Sequence, residues 1–259
     1  MKIYNEFGIK PTNTYLSAGS DYYIPNITED KAELAFKAFE KSYKINKEDL
    51  SDIVDYFFLI YKKDEDLQKQ IPNLVHLFLA LYDPNLEEIK NRSLLDAVKY
   101  FTEEFVEYDW MDDKVGVRLQ LNDTLFINSG IKIALDTVLS DMTGPNITNQ
   151  VDLLRLLGIG VAGLYVNKSG MGNKGFDVRA CLVDEDYSGF VHLSMAYTKD
   201  NIEPGPNIVY CGDKLTQMML IPIFHTQYEE IDKESYDKLM GDSNRGDKGF
   251  GSSDVKHNG

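Results

Sequence analysis

The sequence predicts a mainly β protein, a jelly-roll β-barrel with an inserted α-helical subdomain near its start. Three observations point there. Period-two alternation begins at Val115, with Val117, Leu119 and Leu121 set against Arg118, Gln120 and Asn122. From Gly160 to about Tyr228, short β-prone runs are broken by Gly, Pro, Asn and Asp, the texture of barrels and jelly rolls. Between these strands and a short extended N-terminal segment, Thr28 to about Asp113 follows a helical period instead.

In order along the chain, residues 1–27 read as extended structure with turns, because Gly8, Pro11, Gly19 and Pro25 punctuate runs such as Asp21-Tyr22-Tyr23-Ile24. Thr28 can then cap a helix whose first turn holds Glu29 and Asp30 and whose apolar face is Ala32, Phe36, Phe39 and Tyr43. Further helices are expected around Ser51–Tyr61, Asn73–Tyr82 and Ser93–Tyr108, joined by Lys62–Asp66 and by Asp83-Pro84-Asn85. This makes a bundle of about four helices. The runs Tyr56–Tyr61 and Leu74–Leu81 are wider than one amphipathic stripe, which suits internal core or an oligomeric contact.

Leu125–Leu135 resumes as strand around Ser129-Gly130, and Gln150–Leu157 reads as a short helix after Thr143-Gly144-Pro145-Asn146. The tail from Gly241 has no apolar face and is expected to be mobile unless a ligand orders it. The expected organisation is therefore one β domain made of 1–27 and 115–259, with 241–259 as a mobile C-terminal arm and 28–114 as a helical insertion.

Charge narrows the function. With 27 basic and 42 acidic residues, the net charge of −15 repels nucleic acid and anionic membrane, so direct binding of either is not expected. An anionic substrate would need a divalent metal and a few well-placed Lys or Arg side chains. Two cysteines, Cys181 and Cys211, are too few for a disulfide scaffold and suit a reducing compartment. The segment MKIYNEFGIK lacks an apolar core of its own, and no apolar stretch reaches the roughly 20 residues of a membrane span, so a cytoplasmic protein is expected.

Five short segments carry chemistry. They are SAGSDYY at Ser17–Tyr23, NKSGMG at Asn167–Gly172, CLVDEDYSG at Cys181–Gly189, GDKLTQM at Gly212–Met218 and RGDKGFGSS at Arg245–Ser253. Taken singly each is weak, since Asp184 alone reads as a turn residue in the acidic tip Asp184-Glu185-Asp186 and Tyr187 as a strand aromatic. In this order they resemble the five signature motifs of the trimeric dUTPase family. The resemblance covers residues 1–27 and roughly 115–254, and the helical segment between matches nothing in that family's common core.

The resemblance implies hydrolysis of dUTP to dUMP and pyrophosphate, with Asp184 as the base that activates water. It places Tyr187 against the deoxyribose, where the ring leaves no room for a 2′-hydroxyl. Lys168, Ser169, Gly170 and Gln217 would contact the phosphates, and Asp21 would orient water on a Mg²⁺ ion carried by the triphosphate. Arg245, Phe250, Gly251 and Ser252 would close over the substrate, Arg245 and Ser252 at the γ-phosphate and Phe250 stacked on the base. It further implies a homotrimer whose active sites combine segments of neighbouring subunits.

Two departures stand out. Lys168 replaces the usual Arg, exchanging a bidentate fork for a point charge. Arg179 and Cys181 lie in the hairpin that holds uracil in that family, where many members carry Gly, so another or modified pyrimidine stays open as the base. The related dCTP deaminases are disfavoured because Ser194 stands where their catalytic Glu would be. An all-α pyrophosphohydrolase site at Glu103, Glu104 and Glu107 lacks a second carboxylate pair, since no Glu occurs between Glu107 and Glu185. A regulatory role, in which the helical insertion binds a protein partner, is the alternative from a different class.

Overall fold

The computed structural model describes residues 1–13, 17–82, 92–138, 154–199 and 207–241. They fall into two compact units, Met1–Phe224 and His225–Gly259. In the first, the chain opens with two short strands, β1 (Lys2–Asn5) and β2 (Ser20–Tyr23). Five described helices follow: α1 (Ala32–Ser42), α2 (Lys47–Ile60), α3 (Glu65–Lys69), α4 (Ile71–Leu81) and α5 (Leu94–Glu104). Then come β3 (Val106–Asp109), β4 (Lys114–Arg118), β5 (Thr124–Ala134) and β6 (Ile159–Asn167). A short helix, α6 (Ser169–Lys174), leads into β7 (Phe176–Ala180), β8 (Leu182–Val183), β9 (Phe190–Tyr197), β10 (Ile208–Tyr210) and β11 (Lys214–Phe224).

Every described strand pairing is antiparallel. Among the described residues three sheets result, ordered β1-β5-β9-β7, β10-β4-β3 and β2-β11-β6-β8. The β-rich fold with added helices matches the expectation from sequence. Both chain segments that flank the helices join the same framework: β1 pairs with β5, and β2 with β11.

The helices share the core of the sheets. One buried apolar cluster runs from Phe7, Tyr22, Val117, Ile127 and Leu193 to Phe39, Ile53, Phe57, Leu74 and Phe101. Helix α4 lies deepest, with every residue from Ile71 to Ala80 buried. Pro72 starts it, where the missing N–H removes no intrahelical bond. A polar side chain in such a place needs partners. Asn73 has them: its Oδ1 accepts the Ile27 N–H at 2.6 Å, and its Nδ2 donates to Ile27 O at 3.3 Å, Asn26 Oδ1 at 3.2 Å and Gln70 Oε1 at 2.9 Å.

Several local expectations are revised. The last helix ends at Glu104, and Val106–Asp109 is a strand paired with β4, because Val106 and Tyr108 suit a pleated ladder and Val117 supplies the partner edge. The connection Lys62–Asp66 contains the start of α3, since the Asp64 carboxylate accepts the Leu67 N–H and caps a turn that buries Leu67. Thr28 stands at the head of a 3₁₀ turn, Glu29–Lys31, without a side-chain capping bond. Of the two dense apolar runs, Leu74–Leu81 is core, whereas Phe58, Leu59 and Ile60 lie exposed beside buried Phe57. Residues 139–153, with the first half of the Gln150–Leu157 expectation, are outside the described residues.

The second unit is described only to Gly241. It contains α7 (Lys233–Met240), capped by the Asp232 carboxylate accepting the Ser235 N–H at 2.8 Å, and none of the helix's side chains is buried. No described helix is long and apolar enough to cross a membrane.

Candidate active site

The site is built on the edge strand β2 and its neighbour β11. Asp21 lies directly across from Gln217, and cross-strand partners present their side chains to the same face. Lys214 is three residues before Gln217, so a regular strand would send it to the other face. The pairing shifts by one residue between Lys214 and Thr216, leaving buried Leu215 as the extra residue of a β-bulge. The bulge turns Lys214 back to the Asp21 side, where its Nζ lies 3.0 Å from Oδ2.

The second cation comes from β6. Asn167 pairs with Thr216, and Lys168 follows at the turn into α6, its Nζ 2.9 Å from Asp21 Oδ1 and 3.0 Å from Oδ2. One largely buried carboxylate thus accepts from two ammonium groups. Burial alone would raise the Asp21 pKa, but the hydrogen bonds and attraction of Lys168 and Lys214 outweigh it and hold the carboxyl below its ordinary value. Lys214 is correspondingly raised by Asp21.

Gln217 ties the first motif to β11. Its Nε2 donates to Ser17 Oγ and to Gly19 O, each at 3.2 Å, and Ser17 Oγ donates to Gly19 O at 2.8 Å. Gly19 permits this approach, since a Cβ there would lie 2.5 Å from Met218 O. Ser169 and Gly170 open α6 beside Lys168 and are exposed, with first-turn N–H groups that have no intrahelical acceptor.

Asp184 does not join this cluster. Strand β8 pairs with β6 through Val183 opposite Gly163, and Lys168 lies five residues further on, just past the end of β6 at Asn167. At about 3.3 Å per residue that separation is roughly 17 Å. Asp184 continues away from Lys168, in an exposed turn. Tyr187 is set beside it: its N–H donates to Asp184 O at 3.2 Å and its OH to Phe190 O at 2.8 Å. A Cβ at Gly189 would meet the Tyr187 OH at 2.6 Å, so glycine is what lets the ring lie over that turn.

Sequence reasoning therefore anticipated Asp21, Lys168 and Gln217 as neighbours of one site and missed Lys214, although it lies inside the fourth motif. Its signal was a Lys three residues from Gln217, which only a bulge makes meaningful. Arg245, Phe250, Gly251 and Ser252 lie outside the described residues. Among the described residues, no group of three or more His, Cys, Asp and Glu side chains could hold a metal ion by itself.

The residues weighed for the two disfavoured chemistries are placed as follows. Ser194 is buried in β9 between Phe126 and Ala180. Glu103 and Glu104 end α5, but Glu107 is on β3, where its carboxylate pairs with Arg118 at 2.5 Å. The hairpin expected around Arg179 and Cys181 is not a paired one, since β7 pairs with β9 and β8 with β6 in different sheets; Arg179 is exposed at a second bulge, between Val178 and Ala180, and Cys181 is exposed at the step between the two strands.

Comparison with known proteins points to one family. The family model described as dUTPase matches residues 131–254, which includes the second to fifth motifs and leaves Ser17–Tyr23 outside. The deoxyuridine 5′-triphosphate nucleotidohydrolase of Shewanella baltica strain OS155 is 25% identical over 158 residues, covering 58% of this chain and 97% of that protein. Its counterpart from Vaccinia virus strain Copenhagen is 30% identical over 94 residues, covering 36% and 57%. Among solved structures, a point mutant of the Staphylococcus bacteriophage 80alpha dUTPase with dUpNHpp aligns with a TM-score of 0.37 and 16% identity, covering 57% of this chain and 90% of that one.

Proposed function

Through residues 131–254 the chain belongs to the dUTPase family, and from that premise we propose that it hydrolyses dUTP to dUMP and pyrophosphate with Asp184 as the water-activating base. The observation that carries this reading is the meeting of Asp21, Lys168, Lys214 and Gln217 at one end of a sheet. Two ammonium groups and the first-turn N–H groups of α6, which have no intrahelical acceptor, suit a polyphosphate, and the lysines give an acidic protein the local cations it needs.

In the proposed reaction, Lys168, Lys214, Gln217 and the N–H groups of Ser169 and Gly170 hold the phosphate chain. The Asp184 carboxylate takes a proton from water as its oxygen bonds to phosphorus, and the phosphoanhydride bond breaks to release pyrophosphate. Tyr187, braced by Phe190 O and Gly189, supplies the ring that excludes a 2′-hydroxyl. Arg245, Phe250, Gly251 and Ser252 close the site.

Mg²⁺ fits as an ion brought by the triphosphate: Asp21 is a single carboxylate, suited to contact through water rather than chelation. When bound, it neutralises charge on the leaving pyrophosphate.

The separation of roughly 17 Å or more between Asp184 and the Lys168 cluster favours a site shared between copies, in a homotrimer.

Pyrophosphate release with a panel of dNTPs tests the proposal. Native protein should turn over dUTP and Asp184→Asn should not; no turnover of any dNTP by the native chain would refute it. The exposed bulge at Arg179 favours one second reading, a modified or different pyrimidine as the base, and the same panel would show it as a preferred dNTP other than dUTP.

A further inference from the structure

We propose that the helices between β2 and β3 carry a docking groove for a basic amphipathic helix of a partner protein. None of the residues assigned to the hydrolytic site lies on these helices, so the inference stands independently of that reading.

The groove is lined by α1 and α2, with α3 and the first turn of α4 completing a cavity of about 360 Å³. Ala32 and Phe36 line it from α1, Val54 and Phe58 from α2, and buried Ile71 and Pro72 supply an apolar floor. Residues four apart share a helix face. Each wall is therefore an apolar ridge, and two such ridges receive the apolar stripe of a third helix. The apolar surface also continues out of the cavity. Phe58 is 47% exposed, and Leu59, about 100° further round α2, is 65% exposed. A small molecule confined to the cavity would leave Leu59 bare, whereas a helix laid along the groove covers it.

Charge selects the kind of helix. Glu29 and Glu65 stand exposed in the lining of the groove, and among the described residues neither is in an ion pair. Of the described residues that line it, the one cation, Lys69, is held by Asp66 at 2.9 Å. An apolar floor beside two unpaired carboxylates fits a stripe of apolar side chains flanked by Lys or Arg. A second copy of this chain would bring the same carboxylates and a further charge of −15, and nucleic acid or an anionic membrane is repelled in the same way.

Fluorescence anisotropy with labelled designed peptides tests this. The probe is a helix of Leu, Ala, Lys and Arg, about 18 residues or five turns long, with its leucines at three-and-four spacing. One control scrambles the leucines, and the other keeps the stripe but replaces every Lys and Arg by Glu. Native protein should bind the striped basic peptide about tenfold or more tighter than either control. Phe58→Ser should weaken it about tenfold, as loss of an aromatic anchor does, and Glu29→Gln/Glu65→Gln about fivefold or more. Glu103→Gln/Glu104→Gln, an equal charge change at the end of α5, should leave it within about twofold. The Glu29 and Glu65 pair involves exposed side chains alone, so it carries the test if circular dichroism shows that Phe58→Ser does not fold. No binding of the striped peptide, equal binding of the scrambled one, or equal losses at the two Gln pairs would overturn the proposal and leave non-specific attraction to an acidic chain. Self-association of the native protein that Phe58→Ser abolishes would also overturn it, in favour of a contact between copies.

Discussion

Asp21 on β2 and Gln217 on β11 face each other in the same antiparallel ladder, although one lies near each end of the first compact unit. The five described helices between β2 and β3 are spliced into the chain without separating them. The first motif, outside the family match that begins at residue 131, is brought by this pairing to the second and fourth.

Asp184→Asn should remove the general base while keeping the shape of the turn. Turnover of dUTP is expected to fall by about a hundredfold or more, with binding of a non-hydrolysable analogue within about threefold of native. Steady-state kinetics beside calorimetry separates the two effects.

Gly189→Ala should act through Tyr187. The added Cβ would meet the Tyr187 OH at 2.6 Å, so the ring must move from its place beside Phe190. A higher KM for dUTP and weaker discrimination against UTP are expected; unchanged discrimination would remove Tyr187 from the sugar site.

Asn73→Ala should loosen the join between α4 and the segment after β2. It leaves the buried Ile27 N–H without its acceptor, a loss of about 1–3 kcal/mol. Urea unfolding would show a lower midpoint with little change in slope.

His76 gives a pH signature. It is fully buried, its ring stacked on Phe39 at 4.7 Å, and neither ring nitrogen has a hydrogen-bond partner among the described residues. Burial, with a smaller contribution from His192, pushes its pKa down from 6.5 to about 3. Between those values the unfolded chain binds the proton and the folded chain does not. Stability should therefore fall as pH drops from about 6.5 towards 3, by up to about 1.4 kcal/mol per pH unit for one group. His76→Phe should flatten that slope by about one proton, read from urea midpoints at successive pH values.

The two periodicities were enough to read the β framework and the helices between β2 and β3, and the ordered motifs singled out Asp21, Lys168 and Gln217, which the fold brings together. What stayed hidden depends on pairing partners that a linear pattern does not contain. Val106–Asp109 became a strand because β4 offered an edge, and Lys214 reached Asp21 because a bulge at Leu215 altered which face it takes. The distance between Asp184 and Lys168 follows from the register of β8 on β6; motif order along the chain carries no such information.

Complementation between two inactive variants, Asp184→Asn and Lys168→Ala, tests the shared site most directly. Each alone should be inactive, and co-folded chains in equal amounts should recover roughly a quarter of native dUTP turnover, the share of sites that draw an intact Lys168 and an intact Asp184 from different subunits of a closed symmetric oligomer. If the native chain hydrolyses dUTP but the mixture recovers nothing, base and phosphate site belong to the same chain, and the arrangement proposed for Asp184 is wrong.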